Sequence, residues 1–340
     1  MPVAENLAPT ARWGLIPKAE LHVHVEGTLE PELVFELSRR NSIALPYKDI
    51  EDLRAKYSFD DLGSFLDLYY ECMAVLITHE DFATLSETYL RRAVAQGVRH
   101  VEMFFDPQAH ISRGIAIETV IDGLAEGFAR VKADSNLTGG LILCFLRDRP
   151  VAEALEVLAS ATSRLSSIIG VGLDSAEVGF PPSLFVDVFA EARRLGLRLV
   201  AHAGEEGPAS YVREAIELLH VERVDHGNRC LEDETVVLQL RERQIPLTVC
   251  PLSNLRLGGV TSLTEHPLRA LLSRGLSVSL NSDDPAYFGG YIAENYRAIS
   301  EALDLTDAEV IALARNSITG SFASATRKQE LLEELSAWSV

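Results

Sequence analysis

The chain has 340 residues, of which 47% are apolar, and its formal net charge is −19. This length and apolar content allow either two ordinary domains or one large α/β barrel with a sizeable core. The acidic balance argues against a nucleic-acid partner and against binding to an anionic membrane, because both rely on clustered lysine and arginine.

The N-terminal segment, residues 1–16, is predicted to be a polar arm. It has no apolar stretch of signal-peptide length, and no apolar run approaches the roughly 18 residues that span a bilayer. The four cysteines are widely spaced and form no Cys-x-x-Cys pair, which is typical of reduced thiols in a cytosolic protein. We therefore expect a cytoplasmic protein. The sequence specifies no oligomeric state.

His22 and His24 lie two residues apart on the first predicted strand, residues 19–24, so their imidazoles share one face. Imidazole is the commonest side-chain metal ligand, but a lone His-x-His pattern also occurs where buried histidines satisfy hydrogen bonds. The following residues 45–96 are long for a connection and mostly helical in pattern. We expect this helical insertion near the active-site mouth, where its aromatic residues serve as core or cover a pocket.

Strands and helices alternate regularly beyond Gly97. The further predicted strands are residues 98–105, 140–146, 168–174, 197–202, 223–226, 245–250 and 276–281. Eight short apolar strands separated by helices predict a (β/α)8 TIM barrel, with extra helices between strands 1 and 2 and at the C-terminus. No Gly-x-Gly-x-x-Gly motif follows an early strand, which argues against an open Rossmann-type sheet. We expect a single domain over residues 1–340.

Polar residues cluster where four of these strands end, the position that faces the active-site mouth of a barrel. The segments are His22-Val-His24, His202-Ala-Gly-Glu205, Asp225-His226-Gly227 and Ser279-Leu-Asn-Ser-Asp283-Asp284-Pro285. They bring histidines, carboxylates and further acid/base groups to one rim. Because the strands themselves stay apolar, the pattern predicts a metal-dependent active site.

These four segments resemble the motifs of the adenosine/adenine deaminase family of the amidohydrolase superfamily, in the same order and on matching strands. The resemblance covers about residues 16–325. It implies a metal-dependent aminohydrolase with one divalent ion per chain, expected to be Zn²⁺, with Fe²⁺ and Mn²⁺ as alternatives. The implied ligands are His22, His24, His202 and Asp283. Strand 4 ends without the lysine that commonly bridges two metals in this superfamily, which favours one ion.

The chemistry suits the residue types. A divalent metal held by imidazoles and a carboxylate lowers the pKa of its water to around 7. The resemblance implies catalytic roles for Glu205, His226 and Asp283. Glu205 would shuttle a proton to the ring nitrogen, and His226 would orient the attacking hydroxide. Asp284 would hydrogen-bond the imidazole edge of a purine.

Two positions indicate the substrate. Glu26 stands where adenosine deaminases typically carry a ribose-binding aspartate, and Glu177 lies in a segment that departs from their Ala-Gly-Asp-Glu pattern. Both resemble the adenine deaminases of this fold, and both are expected to fill the ribose space and accept N9–H. The predicted reaction is hydrolysis of adenine to hypoxanthine and ammonia in purine salvage. The alternative is deamination of adenosine or of an N6-substituted purine nucleoside or nucleotide.

A third interpretation is a non-catalytic, secreted relative that acts as a growth factor or receptor ligand. Such a protein is expected to carry a signal peptide and an added N-terminal domain, and the sequence shows neither pattern. Of the enzymatic alternatives, a nucleotide substrate requires a basic phosphate pocket. The predicted rim loops carry no lysine or arginine cluster.

Overall fold

The computed structural model describes residues 12–59 and 62–338 of the chain. Eight parallel strands form one sheet in which the spatial order follows the chain order. They are β1 Lys18–Glu20, β2 Val98–Phe105, β3 Thr138–Leu146, β4 Ile168–Asp174, β5 Arg198–Ala203, β6 Arg223–His226, β7 Leu247–Val249 and β8 Val278–Leu280. The predicted (β/α)8 TIM barrel is confirmed.

Helices follow or separate the strands. They are α1 Pro31–Asn41, α2 Ile50–Arg54, α3 Leu62–Cys72, α4 His79–Ala95, α5 Pro107–Ile111, α6 Ile117–Lys132, α7 Val151–Ser160, α8 Val186–Arg194, α9 Ala209–Glu214, α10 Glu234–Arg243, α11 Pro251–Arg256, α12 Leu268–Ser273, α13 Pro285–Phe288, α14 Ile292–Leu303, α15 Asp307–Thr319 and α16 Ala325–Trp338. None of these described helices combines the length and apolar character needed to cross a membrane.

The barrel closes between β8 and the segment that follows β1. The Asp283 N–H donates to the His22 carbonyl at 3.1 Å, and the His24 N–H donates to the Asp283 carbonyl at 3.0 Å. The seam of the barrel therefore runs through three of the residues predicted to bind metal.

The first strand is shorter than predicted, since it ends at Glu20 instead of residue 24. Beyond it the chain makes single bridges, Val23 to Asp283 on one side and His24 to Phe104 on the other. Regular strand pairing stops here because some backbone groups of this segment bond to Phe104 in β2 and others bond to Asp283 after β8. The segment is nevertheless held on both sides, because His22 and His24 bond to the backbone of Asp283 while Val23 and Val25 bond to that of Phe104.

The segment that connects β1 to β2 contains α1 to α4, as the helical sequence pattern predicted. A capping box starts α4, because the Thr78 hydroxyl accepts the Asp81 N–H and the Asp81 carboxylate accepts the Thr78 N–H. Between α2 and α4 the predicted helical pattern forms α3 and the short turn Met73–Val75, and residues 60–61 lie outside the described residues. Of the predicted arm, residues 1–11 also lie outside them.

A buried ion pair lies inside the barrel beneath the site. Arg223 is fully buried, contacts the Glu102 carboxylate and donates to the Leu21 carbonyl at 2.9 Å. Burial raises the pKa of Glu102, but Arg223 and His100 together outweigh burial and lower this pKa to about 2. Because each of these two charges has a partner, the pair is buried without leaving an isolated charge.

Candidate active site

Four imidazoles and one carboxylate converge at the mouth of the barrel. His22 Nε2 lies 3.1 Å from Asp283 Oδ1, and His24 Nε2 lies 3.2 Å from His202 Nε2 and 3.5 Å from Asp283 Oδ1. One ligand atom from each of His22, His202, His226 and Asp283 falls within a 4.8 Å cluster. The structure thus brings the four predicted ligands together, with His226 beside them.

These donors fit a divalent cation. Burial lowers the pKa of His24 to about 3, and burial followed by repulsion from His22 lowers the pKa of His202 well below its usual value. Both rings are therefore neutral at pH 7 and can present lone pairs. Two Nε2 atoms only 3.2 Å apart need a proton or a cation between them, and a three-imidazole, one-carboxylate set is a common zinc donor set.

Side chains behind the histidines fix their orientation. The Thr248 hydroxyl donates to Asp225 Oδ1 at 2.8 Å and therefore accepts from His22 Nδ1, 2.9 Å away. This places the His22 proton on Nδ1 and leaves the Nε2 lone pair directed into the cluster. On the other side, His24 Nδ1 lies 3.5 Å from Asp174 Oδ2.

Glu205 lies against this cluster. Its Oε2 is 3.4 Å from His226 Nε2, which in turn lies 3.8 Å from Asp283 Oδ2. Burial, followed by the charge of Asp283, raises the pKa of Glu205 well above its usual value. Burial lowers the pKa of His226 to about 3, so its ring is neutral. The pair thus combines a carboxylic acid that can give a proton with an uncharged imidazole.

The backbone is left-handed at three strand ends around the site. Ser175 after β4, His226 at the end of β6 and Asp283 after β8 have φ values of 70°, 62° and 66°. Residues other than glycine adopt this region rarely, and such strain collects where a ligand site requires it. The turns direct the imidazole of His226 and the carboxylate of Asp283 into the mouth.

Asp284, the residue after Asp283, also lines the cavity. It is buried, and its Oδ1 has no hydrogen-bond partner among the described residues. Burial and the adjacent Asp283 raise the pKa of Asp284 well above its usual value. Gly27 packs directly on this carboxyl: a Cβ atom there would lie 2.0 Å from Asp284 Oδ1, so only glycine fits.

Glu177 does not reach the cavity, although the sequence predicted that it binds substrate. Its carboxylate accepts four backbone N–H groups, from Gly204 at 2.7 Å and from the next three residues at 2.7–3.1 Å. The left-handed turn at Ser175 directs the chain beneath the loop after β5. Glu177 therefore holds the loop that carries Glu205.

Glu26 is also absent from the cavity wall. Its side chain is fully buried, and its Oε1 accepts from His110 Nε2 at 2.8 Å and from the Asp106 N–H at 3.1 Å. Burial raises the pKa of Glu26 to about 7. Glu26 lies one layer behind the wall, because the short helical turn at Glu26–Thr28 points its side chain toward α5.

The cavity itself lies between the cluster and α3. The space between protein atoms there is about 410 Å³, including solvent at its open mouth. Its wall is formed by His24, Leu62, Phe65, Leu66, Tyr69, Tyr70, Asp106, Asp174, Ser175, His202, Glu205, His226, Leu257, Asp283, Asp284 and Phe288. Aromatic and aliphatic side chains of α3 thus face the polar strand ends, as expected for a flat, nitrogen-rich ring.

The sequence model of the adenosine deaminase family matches residues 17–338. The chain belongs to the adenosine deaminase family. It is 53% identical to an adenine deaminase of Sphingopyxis alaskensis over 95% of both chains, and 55% identical to an adenine deaminase of Streptomyces coelicolor over 90% of both. The crystal structure of an adenine deaminase from Arthrobacter aurescens shares 55% identity at a TM-score of 0.93, covering 95% of this chain and 99% of that one.

Membership in this family confirms the resemblance drawn from the four motifs. It makes the chain a hydrolase that acts on a small-molecule purine, and it implies a divalent metal. The buried cluster of histidines and aspartates is a suitable place for that metal.

Sequence reasoning missed several residues at this site. Asp106 and Asp174 both line the cavity, and Thr248 orients His22. The two aspartates stand at the carboxyl ends of β2 and β4, so the rule that selected the other strand ends also applies to them. Thr248 lies inside an apolar strand, and its role depends on which side chain faces it.

Proposed function

We propose that this chain is an adenine deaminase, which hydrolyses adenine to hypoxanthine and ammonia. The single observation that carries the proposal is identity above 50% to adenine deaminases over at least 90% of both chains. The cavity is consistent with it, because polar groups surround a space with an aromatic wall.

His22, His24, His202 and Asp283 would hold one divalent ion, and we propose Zn²⁺. The support is the donor set: three imidazoles and one carboxylate suit zinc. When bound, such an ion acts as a Lewis acid that makes a water molecule nucleophilic near pH 7.

Glu205 would supply the proton for the ring. Attack at C6 adds the water oxygen and moves an electron pair onto N1, which needs a proton there. The raised pKa keeps Glu205 in the acid form that can provide this proton. The leaving amino group takes up a second proton, the C6–N6 bond breaks, and ammonia departs. The water supplies both hydrogens overall, so that Glu205 ends the cycle as it began.

His226 and Asp284 would position the reactants. The neutral His226 ring lies 3.4 Å from Glu205 and 3.8 Å from Asp283, so it can hold the attacking oxygen between them. Asp284 is kept protonated by its raised pKa and can donate to N7 of the purine. Together, His226 and Asp284 would fix the orientation of the purine ring relative to the attacking water oxygen.

We further propose that residues 1–340 form one catalytic domain that works in the cytoplasm in purine salvage. The supporting features are the free, buried state of all four cysteines and the single barrel that the described residues build.

The test is turnover by the purified protein. Zinc-loaded protein should convert adenine to hypoxanthine with one ammonia released per purine, followed by the change in ultraviolet absorbance. Elemental analysis should find about one divalent ion per chain, and removing it with a chelator should abolish turnover until zinc is restored. Two ions per chain, or full activity without metal, would contradict the assignment.

A further inference from the structure

Asp106 occupies a position on the cavity wall that no step of the proposed reaction uses. It stands directly after β2 and is only 2% exposed. Its Oδ2 accepts from the Tyr69 hydroxyl at 3.3 Å, and the neighbouring Asp174 carboxyl also interacts with the Asp106 carboxyl. No N–H or hydroxyl group of the described residues donates to its Oδ1. A buried acceptor without a partner is costly unless a ligand satisfies it.

The backbone of Asp106 is held rigidly from behind. Arg113 Nη2 donates to His110 Nδ1 at 2.7 Å, which places the imidazole proton on Nε2. His110 Nε2 donates this proton to Glu26 Oε1 at 2.8 Å, and the same oxygen accepts the Asp106 N–H. These three side chains form one relay that ends at the backbone N–H of Asp106, so Glu26 influences the cavity through Asp106 without lining it.

The place of Asp106 relative to the reaction centre is defined by His24. One carboxylate oxygen of Asp106 lies within 4.8 Å of a His24 ligand nitrogen, and so does one of Asp284. With C6 of the purine at the histidine cluster and N7 at Asp284, as proposed above, N9 would lie on the side of the cavity that carries Asp106 and Tyr69.

The free base and the nucleoside differ at that nitrogen. Adenine carries a hydrogen on N9, whereas adenosine carries a ribose there and has nothing to donate. A carboxyl oxygen accepts a hydrogen bond whether the group is ionised or protonated, so Asp106 can meet N9–H in either state. A site built to bind a donor discriminates strongly against an analogue that lacks it.

We propose that Asp106 selects the free base by accepting the N9–H of adenine on its unpartnered Oδ1. This inference rests on the proposed function. Under this proposal Asp106 accepts N9–H, a contact that the sequence had suggested for Glu26 and Glu177. Glu26 instead holds Asp106 in place.

The experiment compares adenine with 9-methyladenine, which lacks only the N9 hydrogen, in wild-type protein and in Asp106→Ala. The kcat/KM for adenine should fall about 10- to 100-fold in the variant, while that for 9-methyladenine should not fall. Asp106→Asn retains an acceptor of the same shape and should lose less than Asp106→Ala. Asp187→Ala, the same change at an exposed position of α8, is the matched control.

Binding of the product gives a readout independent of turnover. Calorimetry should show that wild-type protein binds hypoxanthine more tightly than 9-methylhypoxanthine, and that Asp106→Ala removes most of this preference. Metal content and melting temperature establish that each variant is folded and loaded.

Three outcomes would overturn the inference. Equal losses for adenine and 9-methyladenine would show that Asp106 is only structural. Equal kcat/KM of the wild-type protein for adenine and 9-methyladenine would show that the site does not distinguish a hydrogen from a methyl group at N9. The proposed adenine deaminase function would then still stand. Failure of loaded wild-type protein to act on adenine would overturn the proposed function and this inference together.

Discussion

The two sides of the cavity are built differently. On the reaction side, His22, His24 and Asp283 are tied together by the backbone hydrogen bonds that close the barrel. On the opposite side, Asp106 is positioned by side chains, through Glu26 and the hydroxyl of Tyr69. The barrel thus fixes the proposed metal ligands, whereas a separate layer of side chains positions the residue proposed to select the substrate. Changes on the two sides should therefore have separable effects on metal binding, turnover and specificity.

The largest effect is expected from removing a metal ligand. His202→Ala deletes one imidazole of the closely spaced pair with His24 and leaves too few donors for a tight site. Elemental analysis should find little bound metal and the adenine assay no measurable turnover. Retention of a full equivalent of metal would show that His202 is not a ligand.

Glu205→Gln tests proton delivery without changing the shape of the side chain. The amide cannot supply a proton, so kcat should fall by about 10²–10⁴-fold. Metal content should stay at the wild-type level because Glu205 is not a proposed ligand. A variant that loses its metal would show that this residue has been given the wrong role.

His226→Ala removes the imidazole between Glu205 and Asp283. Because one group that holds the attacking oxygen is lost, kcat should fall by about 10²–10³-fold, with KM for adenine nearly unchanged. Steady-state kinetics at saturating zinc separate the two parameters. An effect confined to KM would point instead to a contact with the purine.

A smaller effect is expected from Glu177→Gln, which weakens the support of the loop after β5. Turnover should fall about 10- to 100-fold, as is usual when a supporting residue is lost. The negative charge of Glu177 also contributes to raising the pKa of Glu205, after burial and Asp283. Without it the acid form of Glu205 is lost at lower pH. The alkaline limb of the kcat/KM profile should therefore move to lower pH, a shift that mere loosening of the fold would not cause.

The proposed metal ligands on the reaction side could be predicted from the sequence, because their residue types are characteristic of metal sites. Few side chains offer lone pairs to a metal, so His22, His24 and His202 at strand ends already indicated a site, and the barrel brings them together. The eight strands could be predicted for a similar reason: buried parallel strands are continuous apolar runs. The first strand, β7 and β8 are each shorter than predicted. For the first strand the reason is that the barrel seam interrupts its pairing.

The substrate side could not be read in the same way. A carboxylate accepts hydrogen bonds from any N–H, and the sequence does not reveal which N–H it meets. Glu177 meets four backbone donors because a left-handed residue, Ser175, redirects the chain two positions earlier. Glu26 meets His110, which lies 84 residues away in the sequence. Such pairings depend on tertiary geometry that no local pattern encodes.

The central claim is that the metal-dependent cavity accepts a free purine base and excludes a nucleoside. Its most direct test is the ratio of kcat/KM for adenine to that for adenosine, measured on the same zinc-loaded preparation. We predict a ratio of at least about 100 in favour of adenine, because the proposed acceptor, Asp106, meets N9–H and adenosine has no hydrogen there. Comparable values for the two substrates would contradict the account.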